Sequence, residues 1–398
     1  MKDHTTLVFT GDIGFDKYMD GKWNDPELVS EEILSFLRDT DHLIVNVEGP
    51  LSAREKIIKE NAVASLVHSM DPEAAVFLKR IGADVWNICN NHIMDAGERG
   101  LADTIALAKD YGAQVLGAGM NLEEAMRPVI FAEAGGIGLI SVGYQRACRK
   151  ADTDSAGCFS WSDMEHIRLA IETIKKTCRT CIVVAHGGEE FTALPSPYTR
   201  DRYIAYLNMG ADLVISHHPH VPLNYETFPD HKAIFYSLGN FVFDTDYQRS
   251  QFHTEEGVLL KLHVSESGYT FEPCGIRIDR SCDHVVAGEL PQIFTDVNAQ
   301  EYEKLIPLAT QMFLENTKRQ LRFLKPAEFE HATEEDFVRN FYEPLRSGRV
   351  PGEILDFQIL YPLAQRAGEN AWKESKLPQV LQYILEQMDP DKEPKDLS

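Results

Sequence analysis

Three histidines fall within four positions in the segment SHHPHVP at 216–222, and a proline splits them. Neutral imidazoles are common ligands for transition metals, and Pro219 restricts the backbone between His218 and His220. Two imidazoles set two positions apart around that proline can reach two adjacent ions. A histidine-rich surface loop has the same composition, so the rest of the chain must decide. The ends of the other apolar runs give, in order, Asp12, then Asn46 and Glu48, then Asn90, Asn91, His92 and Asp95, then His186 with Glu190. Carboxylates mixed with imidazoles suit Mn, Fe or Zn better than Mg or Ca alone. Side by side, these groups supply enough donors for two divalent metal ions, with one carboxylate between them.

Each residue alone has a plainer alternative: a turn cap for Asp12, a helix cap for Asn91 and His92, a turn histidine for His186. Unrelated turns have no reason to place such groups at the same end of one sheet, and the joint pattern is read as a metal site. Arg146, Arg200 and Arg202 are candidates for gripping a substrate anion, against the alternative of a solvated face. Glu190, Asn240 and His217 are further substrate-facing candidates. Gly187 and Gly188 would let backbone approach a ligand closely.

Strand ends of this kind require βαβ units. Short apolar runs at 6–12, 42–48, 84–90, 136–143, 181–187 and 212–218 read as buried strands. Between them, 27–38, 72–81, 98–111, 162–177 and 199–209 read as helices. KRIGADV (79–85), AKDYGAQV (108–115) and YLNMGADLV (206–214) share one pattern, in which a helix stops at glycine and an apolar strand follows. Alternating strands and helices imply a mostly parallel sheet, with ligands at the strand ends. The strand-rich stretches 232–243, 256–264 and 269–278 suggest a second, more antiparallel sheet. The expected fold is therefore an α/β sandwich of sheets flanked by helices over residues 1–290. A helical extension is expected over 291–398, serving as a lid or an oligomer interface, with the polar tail DPDKEPKDLS disordered.

Composition narrows the partners. With 398 residues, 43% hydrophobic and 25% charged, the chain reads as a soluble globular protein. A net charge of −23 argues against a nucleic-acid partner, while leaving room for a small anion held locally by metals. No run of apolar residues is long enough to span a membrane, and the start MKDHTTLVFTGDIG is not a signal peptide. Seven scattered cysteines fit a cytoplasmic protein, and the single CxxC, Cys178 with Cys181, lacks the second pair of a zinc ribbon.

The segments TGDI, NVEGPL, NICNNHIMDAGERGL, VVAHGGEEF, GADLVISHHPHV and FYSLGNFVFD resemble, in order, the motifs of the CapA family of poly-γ-glutamate capsule synthesis proteins. That family is similar in fold to calcineurin-like metallophosphoesterases, and the resemblance covers roughly residues 5–245. It implies a four-layer α/β/β/α sandwich with a dinuclear site. Asp12, Glu48, Asn91, His186, His218 and His220 would hold the metals, Glu48 as the bridge, and His92 would stand beside the leaving group. Two positions depart from the metallophosphoesterase pattern. Gly14 stands where an Asp-x-His motif has its histidine, and the bridge is Glu48 rather than Asp. The family's usual membrane anchor has no counterpart here. Three functions follow: a phosphoesterase acting on a small phosphate ester, an enzyme of γ-glutamyl or other amide bonds, or a non-catalytic component of polymer synthesis.

Overall fold

The computed structural model describes residues 4–53, 67–143, 149–306, 308, 309 and 312. Its strands are β1 (Thr5–Gly14), β2 (His42–Val47), β3 (Val85–Asn87), β4 (Gln114–Leu116), β5 (Ala118–Gly119), β6 (Val129–Phe131), β7 (Ile137–Gly143) and β8 (Gly157–Cys158) in the first half. β9 (Thr180–His186), β10 (Leu213–His217), β11 (Tyr225–Phe228), β12 (Lys232–Phe235), β13 (Asn240–Phe243), β14 (Glu256–Ser265), β15 (Gly268–Asp279) and β16 (His284–Ala287) follow. The principal helices are α1 (Glu31–Arg38), α2 (Ala75–Ile81), α3 (Gly97–Asp110), α4 (Leu122–Ala125), α5 (Met164–Lys175), α6 (Pro197–Asn208) and α7 (Asp246–Arg249).

Two large sheets form. One runs β16-β15-β14-β1-β2-β3-β4, with β13 also pairing with β1; the other runs β11-β12-β10-β9-β7-β6. Period-two alternation along the strands makes them two-sided. In β1, Leu7 and Phe9 join one buried cluster while Val8 joins another; in β9, Ile182 and Val184 divide in the same way from Cys181, Val183 and Ala185. The cluster of Leu7, Phe9, Ile44 and Val85 with Leu139, Ile182, Leu213 and Ile215 draws on both sheets and is the core between them. The other faces take the helices: Ile33 and Leu37 of α1, Phe77 and Leu78 of α2, and Ile167, Ile171 and Ile174 of α5 are all buried there. Helix, sheet, sheet and helix make the four layers that the sequence motifs imply.

The later strands are placed differently from the sequence expectation. β14 and β15 do not build the second sheet; they extend the first, β14 antiparallel to β1 and β15 antiparallel to β14. The second sheet is mostly parallel, because β7, β9, β10 and β12 run the same way. The reason is that β1 begins in the middle of its sheet and leaves one edge free, and the hairpin β14–β15 supplies alternating apolar residues to cover it. The expectation that all the polar strand ends belong to one sheet is also corrected. Asp12 lies near the end of β1, and Glu48 and His92 follow β2 and β3, all of the first sheet; His186 ends β9, and His218 and His220 follow β10, both of the second.

Glycines shape the helix exits. Gly82, Gly112 and Gly210 all have positive φ (84°, 77° and 116°) just after α2, α3 and α6, which lets the chain turn sharply into the next strand. α6 begins with Ser196 accepting from the Thr199 N–H and Pro197 in the first turn, a favourable start. The described part of the extension packs on the sandwich. The Val297 N–H donates to the Tyr225 carbonyl and the Tyr225 N–H to the Thr295 carbonyl, the Tyr302 hydroxyl donates to the Pro195 carbonyl at 2.6 Å, and Leu305 and Leu308 bury against Leu194. The tail DPDKEPKDLS lies outside the described residues.

Candidate metal centre

The strand ends meet where the two sheets converge. Asp12 is fully buried near the end of β1, where its Oδ1 accepts from Asn46 Nδ2 at 2.7 Å and its Oδ2 from the His218 N–H at 3.3 Å. Asn46 is in turn held by Asn87, whose Nδ2 donates to Asn46 Oδ1 at 2.7 Å. Asp12 is therefore a hub tying both sheets, not a turn cap. Burial pushes its pKa up to about 7, against the two hydrogen bonds that lower it.

Glu48, just past β2, is also fully buried, and neither carboxylate oxygen has a hydrogen-bond partner among the described residues. Around its Oε1 stand His220 Nε2 at 3.6 Å, His186 Nε2 at 3.7 Å and His92 Nε2 at 4.0 Å. Burial first, then the charges of Asp12, Glu190, Asp95 and Asp16, raise its pKa well above the ordinary carboxylate value. A fully buried carboxylate without a donor is costly unless it takes a proton or meets a cation. With three imidazoles facing it, the arrangement fits a divalent ion. His186 is driven the opposite way: burial, then the neighbouring imidazoles, lower its pKa well below the usual value and keep it neutral, the form that binds metal.

Three overlapping donor groups have ligand atoms all within 4.8 Å of one another: Glu48, His186 and His218; Asp12, Glu48 and His220; and Glu190, His218 and His220. Asn91 joins the first, its Oδ1 lying 2.9 Å from His186 Nε2. His220 is held edge and face: Nδ1 bonds Asn240 Oδ1 at 3.0 Å, and the ring stacks on Phe243 at 5.0 Å and 17°. A proton on Nδ1 leaves Nε2 free to turn its lone pair toward Glu48. His218 and His220 have φ of 97° and 59°, a left-handed backbone that non-glycine residues rarely adopt. Such strain costs of the order of 1–3 kcal/mol per residue and gathers at functional sites.

His92 does not cap a helix. Its Nδ1 bonds Asp95 Oδ2 at 2.8 Å, so Nε2 faces the cluster. Burial, then His68, lower the His92 pKa, while Asp95 opposes them. His68 was not among the sequence candidates. Its ring meets His92 edge-on at 4.2 Å, its Nδ1 bonds Asp16 Oδ2 at 2.8 Å, and its N–H bonds Asp95 Oδ2 at 2.8 Å. A lone histidine before a short turn carries no spacing signal, and only the fold reveals it.

The substrate-facing candidates fare differently. Glu190 does reach the cluster, with Oε1 3.9 Å from His218 Nε2. Asn240 is turned inward: besides holding His220, its Nδ2 donates to the Thr254 carbonyl at 2.9 Å. His217 is buried, its Nδ1 3.5 Å from Asp12 Oδ1, so it backs a candidate ligand instead of meeting an incoming anion. Arg200 is committed to Glu226, with Nη2 and Nε at 2.6 and 2.8 Å, and stacks on Tyr302. Arg202 lies against the rings of both Trp161 and Tyr198, at 4.5 and 4.7 Å, and donates to the Trp161 carbonyl. Arg200 and Arg202 are thus engaged by neighbouring protein groups, Glu226 for the one and Trp161 and Tyr198 for the other. Arg146 lies outside the described residues. At Gly187 the close approach is to protein: a Cβ there would stand 2.5 Å from the Trp161 ring.

Residues 6–245 match the family model described as bacterial capsule synthesis protein PGA_cap. Among curated proteins, the chain is 28% identical over 271 residues to a capsule biosynthesis protein CapA of Bacillus anthracis, covering 66% of this chain and 64% of that protein. It is 27% identical over 271 residues to a PGA biosynthesis protein CapA of Bacillus subtilis, covering 67% and 69%. The chain thus spans about two thirds of the length of these relatives. A probable polyglutamine synthesis accessory protein of Mycobacterium tuberculosis is 25% identical over 236 residues, covering 54% of this chain and 59% of that protein. Among solved structures, a dimetal phosphatase from Danio rerio aligns at 10% identity with a TM-score of 0.32, covering 68% of this chain and 96% of that one; at that score the likeness carries no weight. No helix among the described residues is long and apolar enough to cross a membrane. With the family model matched across more than half of its length, the chain belongs to the bacterial capsule synthesis protein family PGA_cap.

Proposed function

We propose that this chain is a metal-dependent hydrolase, acting on a small phosphate ester at the centre formed by Asp12, Glu48, Asn91, His186, His218 and His220. The observation that carries this reading is Glu48: a fully buried carboxylate with no hydrogen-bond partner among the described residues and three imidazole Nε2 atoms within 4.0 Å of one oxygen. Two divalent ions, of Mn, Fe or Zn, would supply positive charge for a phosphoryl oxygen and a water acidic enough to attack near neutral pH. The chain's own residues do the rest. Asp12 and Glu48 would hold the ions; both are fully buried, where electrostatic interactions are strong. Asn240 sets the ring and tautomer of His220, Asn46 anchors Asp12 within the first sheet, and the His218 N–H ties it to the second. Asp95 bonds His92 Nδ1 and so aims Nε2 at the pocket; in its imidazolium form, which the Asp95 carboxylate favours against burial, His92 would give the Nε2 proton to the leaving oxygen. His68 packs against that ring and limits its rotation.

A second reading rests on the relatives, whose names concern capsule and polyglutamate synthesis. In it the same residues would hold ions that supply Lewis acidity for the carbonyl of a γ-glutamyl amide in a polymer. Cytoplasmic residence is the setting proposed for either reaction, supported by six cysteines that are all free thiols among the described residues. The test is a pair of substrates offered to the chain after loading with Mn²⁺: nitrophenyl phosphate and a γ-glutamyl anilide. Chelator-sensitive release of phosphate supports the first reading, and release of the aniline alone supports the second. Neither release, with the metal bound, overturns both and leaves a non-catalytic role in polymer synthesis.

A further inference from the structure

The two ion positions are unequally supplied. The group of Glu48, His186 and His218 has Asn91 beside it as a fourth donor, whereas Asp12, Glu48 and His220 stand as three. β1 cannot add another. Position 14 is glycine, and a Cβ built there would lie 2.0 Å from the Phe243 ring, the ring that stacks on His220. A side chain at 14 and the present packing of His220 exclude each other. The missing donor has to come from another element.

We propose that Glu190 is that donor, a carboxylate ligand at the solvent side of the centre; the proposal rests on the metal-centre reading above. Its carboxylate forms a ligand group with both His218 and His220, one imidazole from each ion position. Its side chain is 20% exposed, unlike the fully buried Asp12 and Glu48, so it closes the centre from outside. The backbone on both sides is pinned. Glu189 is buried, accepting from the Ser196 hydroxyl at 2.7 Å, the Ser196 N–H at 3.0 Å and the Thr199 hydroxyl at 2.9 Å, which fastens the loop to the start of α6. Phe191 donates its N–H to the Pro219 carbonyl at 2.9 Å and lays its ring on His220 at 5.7 Å and 22°. Glu190 is therefore presented to the histidine loop by a rigid frame, as a ligand needs and a mobile substrate contact does not. A third carboxylate also shifts the donor set toward oxygen, which favours Mn²⁺ over Zn²⁺.

The experiment is a Mn²⁺ titration by calorimetry on the full chain after chelator treatment, comparing the wild type with Glu190→Gln and Glu190→Asp. The wild type is expected to bind two ions. Glu190→Gln should keep one class of site and weaken the other by roughly ten-fold or more, since even outer partners of ligands are worth 10–100-fold in affinity. Glu190→Asp, which keeps the charge on a shorter arm, should fall between. Unchanged affinity at both sites in Glu190→Gln, with only KM for the ester raised, overturns the proposal and makes Glu190 a substrate contact. A wild type that binds two ions, loses one with Glu190→Gln and hydrolyses no ester supports the ligand assignment while the phosphoesterase reading fails. A wild type that takes up no Mn²⁺ overturns both.

Discussion

Replacing Glu48 by glutamine is expected to have opposite effects with and without metal. In the metal-free chain the carboxyl is fully buried, without a hydrogen-bond partner among the described residues, and its pKa stands well above the ordinary value; that of Asp12 is raised to about 7. A carboxyl whose pKa is higher in the folded than in the unfolded chain contributes stability that is full below the unfolded value and lost as pH rises through the folded one. The metal-free wild type is therefore expected to lose stability from about pH 4 upward, through neutrality. The amide of Glu48→Gln has no proton to lose and escapes its share of that loss. With chelator at pH 8 the variant should melt no lower than the wild type. Metal reverses the order. A ligand at a hundred times its dissociation constant stabilises the fold by about 2.7 kcal/mol. At about 2 °C per kcal/mol for a large domain, that is a rise of roughly 5 °C in Tm. The wild type should show this rise with Mn²⁺, and Glu48→Gln little of it. Scanning fluorimetry across a Mn²⁺ series, at pH 5 and pH 8, measures both effects. An equal Mn²⁺ shift in the two proteins, or a chelated variant melting well below the wild type at pH 8, would refute the reasoning.

His92→Asn should retain both ions and lose turnover by about 10²–10⁴-fold on esters with poor leaving groups, and by much less on a nitrophenyl ester; equal losses on both would mean that His92 positions substrate. Asn240→Ala removes the acceptor that fixes the His220 ring and should weaken Mn²⁺ binding by roughly 10–100-fold, read by equilibrium dialysis. Arg200→Ala leaves the buried Glu226 carboxylate without its bidentate partner and should cost about 3–5 kcal/mol in a denaturant melt, with KM unchanged; a raised KM at unchanged stability would restore Arg200 as a substrate contact.

Much of the architecture is legible because apolar alternation and glycine exits mark each strand and helix locally. Ile182 and Val184 on one face and Val183 on the other follow directly from the period of two. Strand partnership is not local. Nothing in the stretch of β14 announces that it will lie against β1 in place of building the other sheet. The same divide holds at the site. Asp12, Glu48, His186, His218 and His220 are legible because each follows an apolar run, and strand ends converge in such folds. Glu226, which occupies Arg200, comes from β11, 26 residues away, and His68 reaches His92 only after the chain has folded back. The glycine at position 14 is visible in the sequence, but its consequence is not, since Phe243 fills the space from a strand that pairs with β1 late in the chain.

Counting bound metal tests the central claim most directly. The full chain, incubated with Mn²⁺, desalted and measured by elemental mass spectrometry beside His220→Ala, should carry two ions in the wild type, and the variant should lose metal while its fold stays intact. A wild type that retains no metal, or a His220→Ala protein with undiminished content, would contradict the account.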